Sequence, residues 1–253
     1  MFRRIISSIL LIVGLLLILS PFIQDQIVIY LTNQYMGTIP VEEFEQNLEI
    51  ETEFDFSIIE PIDINAILEA WNEDLPVVGE IMIPTVDIHL PIIRGVTNAS
   101  ISVGAATMKP DQVKGEGNYP LISHRMNNPD LLFTPLERLE LGEKVYLRDT
   151  NQIYIYQVTE MKIIEPSQIE VLDDQEGQQL ITLITCTEDG SQRLMVRGEL
   201  EEIINLEETE IIEELPIVDM LNSSEEKITL DLTKIALVGI AILVIALLIK
   251  KKK

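Results

Sequence analysis

The chain has 253 residues, with 18 Lys and Arg against 42 Asp and Glu, which gives a formal net charge of −24 at pH 7. This length fits one globular domain with extensions. So acidic a chain, with no basic patch in its central part, repels phosphate backbones, which largely excludes nucleic acid as a partner. Its apolar residues concentrate in two uninterrupted blocks near the two ends, so these blocks decide the topology.

The first apolar block runs without a charge from Ile5 to Leu19 and follows Arg3 and Arg4. A block of this length can span a bilayer, and the two arginines favour a cytoplasmic N-terminus. No small-residue cleavage site follows it. Residues 1–24 are therefore predicted to form an uncleaved signal-anchor transmembrane helix.

An acidic stalk is predicted over residues 25–74. Residues 42–63 contain nine acidic residues and no Lys or Arg, which is typical of a solvated spacer. Within the stalk, Ile64, Ile67, Leu68 and Trp71 recur at helical spacing, and Asp63 is placed to cap them, so a short amphipathic helix is predicted there.

The pattern of residues 75–200 predicts many short strands. The strand candidates are β-branched segments separated by Pro and Gly: Gly79 to Ile83, Ile88 to Arg94, Lys144 to Asp149, Ile153 to Val158, Leu180 to Cys186, and Arg193 to Gly198. One short helix is allowed over Asp130 to Leu139. A mainly all-β domain, closed or nearly closed into a barrel, fits this pattern best.

The second apolar block, Ile235 to Ile249, follows an acidic linker at 201–228 and precedes four lysines, Lys250 to Lys253. Residues 229–253 are predicted to form a C-terminal transmembrane helix with a cytoplasmic Lys-rich tail, which places both termini in the cytoplasm and the barrel outside. A buried core helix would be the other reading of either block, but neither block has a polar face.

Cys186 and two histidines are the candidates for chemistry in the barrel. Cys186 ends an apolar strand and precedes a polar turn, which places its thiol near solvent, whereas buried cysteines more often lie in mid-strand. His124 lies where a strand gives way to a loop, a better position for a catalytic base than that of His89 within an alternating strand. A Cys with a His indicates acyl transfer.

An arginine at the start of the next strand adds to this signal. A hairpin after Cys186 brings Arg193 back towards the thiol, where a guanidinium can hydrogen-bond an oxyanion. Because Arg193 and Arg197 share one face of the strand, spacing alone leaves the choice between them open.

These segments together resemble the sortase family. The resemblance rests on Thr182 to Cys186 followed by Arg193 to Gly198, and on the Ser123-His124 pair with the runs before and after it, Gly104 to Pro110, Gly115 to Tyr119 and Leu132 to Leu136. It covers roughly Leu75 to Leu200, and the combination of spaced motifs is more specific than any single motif.

The resemblance implies an eight-stranded sortase β-barrel and a membrane-bound cysteine transpeptidase. Such an enzyme cleaves a Leu-Pro-x-Thr-Gly (LPxTG) sorting signal between Thr and Gly and passes the protein to an amine of a peptidoglycan precursor or of another protein, such as a pilin. It implies Cys186 as nucleophile, His124 as acid and base, and Arg193 for the substrate backbone and the oxyanion, with Arg197 structural. Ser123 and Thr185 are the candidate substrate contacts.

The class of sortase is less sharply indicated. The catalytic region resembles class A sortases, whereas a C-terminal membrane span is more usual in the pilin-polymerising class C; no Asp-Pro lid motif precedes Leu75, which favours class A-like anchoring. A cysteine hydrolase would share the same three residues, and a non-catalytic membrane-held barrel would not need the cysteine.

No metal is required, although some sortases bind calcium, and acids are available in loops: Asp111, Glu116, Asp173, Asp174 and Glu176.

Overall fold

The structure, a computed structural model, describes residues 2–38, 43–54, 64–207 and 215–223. The helices in these ranges are α1 (Phe2–Thr38), α2 (Phe44–Asn47), α3 (Ile64–Asn72), α4 (Asn98–Val103) and α5 (Val218–Ser223). The strands are β1 (Val77–Ile83), β2 (Ile88–Ile93), β3 (Ala105–Thr107), β4 (Asn118–Ile122), β5 (Lys144–Arg148), β6 (Gln152–Ile164), β7 (Leu180–Cys186) and β8 (Arg193–Asn205).

The eight strands form one closed barrel in the order β1-β2-β3-β4-β7-β8-β6-β5, and β5 pairs with β1 to close it. Two neighbouring pairs are parallel, β2 with β3 and β4 with β7, and the others are antiparallel. The barrel core contains aliphatic side chains and three buried tyrosines, Tyr119, Tyr154 and Tyr156. The predicted eight-stranded barrel with short helices is confirmed.

Two strands are longer than their sequence patterns predict. β6 and β8 have 13 residues each, because they pair with each other from Gln152↔Asn205 to Ile164↔Arg193. The barrel therefore runs past Leu200, the predicted end of the domain. The predicted helix over Asp130 to Leu139 is a 3₁₀ turn, Thr134–Arg138, in which Pro135 occupies the first turn.

Helix α1 continues well beyond residue 24 and packs against the barrel. Val28 and Leu31 are each 1% exposed, and the Thr32 hydroxyl donates to the carbonyl of Val103 at 2.8 Å. The Tyr35 hydroxyl lies within hydrogen-bond distance of the Ala70 and Glu73 carbonyls on and after α3. Residues 25–38 are thus part of the folded unit and not a spacer, because their apolar face matches one on α3, α4 and β2.

The segment after β8 also returns to the barrel. Ile217 is fully buried against Met82, Tyr146 and Ile153 on the outer face of β1, β5 and β6, and α5 follows directly. Part of the predicted acidic linker is therefore a docked segment, because its Leu and Ile residues cover an apolar patch that the barrel presents outward.

No helix within the described ranges is long and apolar enough to cross a membrane. The predicted second span, residues 229–253, lies outside the described residues, as do residues 55–63 of the stalk. Both membrane spans stay predictions.

Candidate active site

The parallel pairing of β4 with β7 brings the cysteine and the histidine to one edge of the barrel. Ile122 and Ile184 are partners in this pair, so the residues that follow them, Ser123-His124 and Thr185-Cys186, lie side by side. Neither the order nor the 62-residue separation of His124 and Cys186 in the chain reveals this proximity. The carboxyl ends of neighbouring parallel strands are a common location for functional groups.

His124 is held by its backbone. Its amide donates to the Ile101 carbonyl at 3.3 Å, and its carbonyl accepts from the amide of Phe133 at 3.2 Å. The side chain is buried, and within the described part of the chain its Nε2 has no hydrogen-bond partner. A nitrogen in this state is available to exchange a proton with a bound substrate.

Burial lowers the pKa of His124 to about 4. The imidazole of the free protein is therefore uncharged at neutral pH, which differs from the titration near neutrality expected from the residue type alone. A neutral imidazole has a free lone pair that can accept a proton, whereas an imidazolium has none.

Cys186 and Arg193 face each other across the hairpin of β7 and β8, as direct partners in the ladder. Arg193 Nη1 donates to the carbonyls of Gly190 and Gln192, at 3.2 and 2.9 Å, so its guanidinium is oriented by the hairpin loop. Asp189 stiffens this loop by accepting hydrogen bonds from Thr187 and Ser191.

A cavity of about 430 Å³ joins the three predicted catalytic residues, Cys186, His124 and Arg193. Its wall is completed by residues from three places, namely α1, the loop after β4, and the β7–β8 loop: Pro21, Gln24, Asp25, Arg125, Met126, Asn127, Thr187, Glu188, Asp189 and Gly190. The structure thus brings the predicted catalytic set together around one space.

A second cavity, of about 320 Å³, lies beside the first and has a mainly aliphatic lining. Its walls come from β3, β4, β7 and the segment between β6 and β7: Met108, Ile122, Ile164, Glu165, Pro166, Gln168, Ile169, Val171, Leu172 and Ile184, with Arg193. Arg193 therefore lines both cavities.

Arg197 has a different environment from Arg193. Its guanidinium donates to the Val171 carbonyl at 2.8 Å and to Thr182 Oγ1 at 3.4 Å, and it pairs with Glu160 at 3.5 Å. Arg197 thus ties the β6–β7 segment to the barrel.

Ser123 and Thr185 do not reach either cavity. Both are buried, with Ser123 Oγ donating to the Gly104 carbonyl at 2.7 Å and Thr185 Oγ1 donating to the Ser123 carbonyl at 3.0 Å. Their burial makes them supports for the strand ends that carry His124 and Cys186, which corrects the expectation that they contact substrate.

His89 also lies away from both cavities. Its Nε2 is 3.4 Å from the buried carboxylate of Glu80, which Arg148 approaches at the same distance. This cluster compensates the charge of Glu80 within the β1, β2 and β5 surface.

The acids suggested for calcium do not converge. Asp174 pairs with Lys109 at 2.6 Å and accepts from the Asn118 amide at 2.8 Å, and these contacts hold the pKa of Asp174 below its usual value. Within the described ranges, no group of three or more His, Cys, Asp or Glu side chains is placed to hold a metal ion.

Helix α1 supplies residues that sequence reasoning missed. Pro21, Gln24 and Asp25 line the cavity of Cys186, and Asp25 accepts a hydrogen bond from Asn128 at 3.2 Å. The apolar block before them dominates the local pattern, and no local signal links residue 25 to residues a hundred positions later.

Comparisons with known proteins agree with this fold. The sequence profile of the Sortase domain matches residues 81–201. Sortase A of Streptococcus agalactiae is 38% identical over 208 residues, covering 79% of this chain and 84% of that protein, and sortase A of Listeria monocytogenes is 38% identical over 206 residues, covering 79% and 92%. The crystal structure of the Listeria sortase A superposes with a TM-score of 0.52, with 39% identity, over 55% of this chain and 97% of the other.

A closed eight-stranded barrel with a cysteine, a histidine and an arginine around one cavity defines a cysteine transpeptidase of the sortase type. The chain belongs to the sortase family.

Proposed function

We propose that this sortase cleaves an LPxTG-type signal between Thr and Gly and transfers the resulting acyl group to an amine of the cell wall. The observation that carries the proposal is the position of Arg193, which lines both the aliphatic cavity and the cavity of Cys186. A Leu-Pro segment in the aliphatic cavity then directs the following threonine carbonyl to the thiol. The relatives named sortase A support class A-like anchoring over pilin polymerisation.

Acylation begins when the Cys186 thiol proton passes to the neutral imidazole of His124. The sulfur attacks the threonine carbonyl carbon, the C–S bond forms, and the charge on the carbonyl oxygen faces the guanidinium of Arg193. Collapse breaks the C–N bond to glycine, and His124 returns its proton to the departing amine. The product is a thioacyl enzyme on Cys186.

Deacylation runs the same steps in reverse with a second amine. The amine attacks the thioester carbonyl, the C–N bond forms and the C–S bond breaks. Sulfur leaves as the thiolate of Cys186, and His124 takes the proton that the amine loses.

The test uses the full chain in detergent micelles with a quenched Leu-Pro-x-Thr-Gly peptide, with and without triglycine. Cleavage is expected in the wild type and absent in Cys186→Ala and His124→Gln, whereas His89→Gln is the matched control because His89 lies outside both cavities. Product masses identify the acceptor. An amide with triglycine supports the proposal, free acid alone indicates a hydrolase, and no cleavage of this peptide contradicts the proposed signal.

Calcium is not part of the proposed mechanism. The Lys109 ammonium already pairs with Asp174 and links the β6–β7 segment to the loop after β3, which is what a bound cation would do there. The cleavage rate is expected to differ by less than twofold between a calcium chelator and added calcium chloride. Lys109→Met is expected to lower the rate, whereas Lys162→Met, at an exposed ion pair with Glu160, is the control. A strong calcium activation of the wild type would contradict this.

The proposed location is the cell membrane, with two spans and the barrel outside. It is supported by the two apolar blocks and their basic flanks. Since Cys186 is the single cysteine, a thiol reagent that cannot cross membranes is expected to label it in intact cells. A cysteine introduced as Lys253→Cys in the Cys186→Ala background is expected to react only after permeabilisation. The reverse pattern would contradict the topology.

A further inference from the structure

We propose that Asp25 of helix α1, with Glu188 of the β7–β8 loop, binds the positively charged amine of the acceptor before it attacks the thioester. This inference rests on the proposed transpeptidation and adds a site for the second substrate. Its ligand is a primary ammonium group, from either a peptide N-terminus or a lysine side chain.

The first argument is that the walls of the two cavities differ in charge. The aliphatic cavity suits the apolar part of a sorting signal, but the cavity of Cys186 has three carboxylates on its wall, Asp25, Glu188 and Asp189. Of these, Asp189 already accepts hydrogen bonds from the Thr187 hydroxyl and from the Ser191 hydroxyl and amide in its own loop. Asp25 and Glu188 have no ion-pair partner within 4 Å among the residues the structure describes, although the charge of Arg125 acts on Glu188.

Neither of the two arginines that line this cavity forms an ion pair with Asp25. Arg193 donates to carbonyls of the hairpin loop. Arg125 donates at 2.5 Å to Glu137, which is not part of the cavity wall. Asp25 has only the neutral amide of Asn128, and partial burial raises the pKa of its carboxyl. An ammonium group supplies the charge that this carboxylate lacks.

The second argument is the buried nitrogen of His124 in the same cavity. This side chain is 5% exposed, and its Nε2 has no hydrogen-bond partner among the described residues, although it lies in a cavity large enough for a ligand. The nitrogen fits an amine held between the carboxylates and the thioester. The bound ammonium loses one proton to water at the cavity mouth, the free amine forms the C–N bond, and its second proton passes to His124 as the C–S bond breaks.

The experiment measures the ratio of amide to free-acid product in the full chain, because this ratio does not depend on how fast the thioacyl enzyme forms. Triglycine and Nα-acetyl-lysine amide are the charged acceptors, and they distinguish an N-terminal from a side-chain amine. Hydroxylamine, uncharged at pH 7.5, is the neutral nucleophile.

Asp25→Asn, which keeps the contact with Asn128, is expected to lower the ratio about five- to tenfold for the better charged acceptor, while the hydroxylamine ratio changes less than twofold. Glu188→Gln is expected to act in the same direction and Asp25→Glu to restore the ratio. High salt is expected to lower the wild-type ratio for charged acceptors. Asp130→Asn, an exposed acid paired with Arg138, is the control and is expected to change nothing.

An unchanged ratio in Asp25→Asn would overturn the inference, as would an equal loss with hydroxylamine, which would mean that Asp25 only shapes the cavity mouth. Failure of the proposed function looks different, because the wild type itself would then form no amide with any acceptor.

Discussion

Arg193 and Arg197 show how two identical side chains on one strand face take different roles. They lie four positions apart, but Arg193 borders both cavities, whereas Arg197 contacts Val171, Thr182 and Glu160. The difference comes from the position of each residue along β8. Arg193 lies at the strand end beside Cys186, and Arg197 lies opposite Thr182 in mid-strand.

Arg193→Lys is expected to lower kcat/KM for peptide cleavage by about 100- to 1,000-fold, because a lysine cannot replace the planar fork at the oxyanion. Arg197→Lys is the matched control. It is expected to reduce the free energy of unfolding by about 1 kcal/mol through lost hydrogen bonds, with kcat/KM within a few fold. Peptide kinetics and urea unfolding of both variants check this pair, and equal kinetic losses would contradict the assignment.

The buried imidazole of His124 makes stability depend on pH. Its pKa of about 4 lies below the unfolded value near 6.5, so the unfolded chain binds the proton more readily, and stability is complete above pH 6.5 and falls as the pH drops towards 4. Between pH 7 and 4.5 this one group is expected to remove roughly 2 to 3 kcal/mol. His124→Gln is expected to lose that part of the pH dependence, as measured by urea unfolding at the two pH values. An unchanged difference between the two pH values would contradict the buried neutral state.

At the scale of the element, α1 joins the predicted membrane anchor to the barrel without a break. Its later turns pack on α3, α4 and β2 through Val28, Leu31 and Thr32, and the aromatic rings of Tyr30 and Trp71 stack at 5.5 Å. The helix therefore sets the distance and orientation of the catalytic cavity relative to the predicted anchor, and it contributes Asp25 to that cavity.

Leu31→Ala is expected to destabilise the protein by about 2 to 5 kcal/mol, because it leaves a hole in a packed interface. Leu68→Ala on α3 removes the same atoms from a side chain that is 51% exposed, and it is expected to cost less than about 0.5 kcal/mol. Thermal unfolding of the full chain compares the two variants. Equal stability would show that α1 does not dock on the barrel.

At the scale of the whole molecule, the barrel is held from two sides by segments that lead to the predicted spans. Helix α1 covers the side of β2, and the segment around Ile217 covers the outer face of β1, β5 and β6. With both proposed spans in a membrane, two such attachments would restrict how the barrel rotates and would keep the catalytic cavity near the membrane surface.

Truncation separates two roles of the C-terminal part, the packing of the segment around Ile217 on the barrel and the anchoring by the predicted second span. A chain ending at Ser223 keeps the docked segment and is expected to retain peptide cleavage while anchoring less protein on cells, because the predicted second span is lost. A chain ending at Asn205 also exposes the patch around Met82 and Tyr146, so its melting temperature is expected to fall. Unchanged anchoring by the chain ending at Ser223 would contradict a role for the second span.

Much of this protein could be predicted from local patterns in its sequence. Alternating β-branched segments and Pro or Gly breaks indicate the strands, strongly so for Leu180 to Cys186, which matches β7 residue for residue. A thiol at a strand end and a histidine in a loop indicate the chemistry, because residue type and local position decide reactivity there. Strand length was less predictable, since β6 and β8 extend only because each finds the other as a partner over 13 residues.

The amino-acid sequence by itself determined the acidic character of the chain, its apolar ends and the presence of the residue types that acyl transfer needs. Only the tertiary structure decided that Arg193 and not Arg197 borders the thiol, that Ser123 and Thr185 face inward, and that Asp25 lies at the catalytic cavity. The physical reason is the distance along the chain over which each effect acts. Hydropathy patterns and turn chemistry act over a few residues, whereas burial, ion pairs and cavity walls depend on contacts between distant segments.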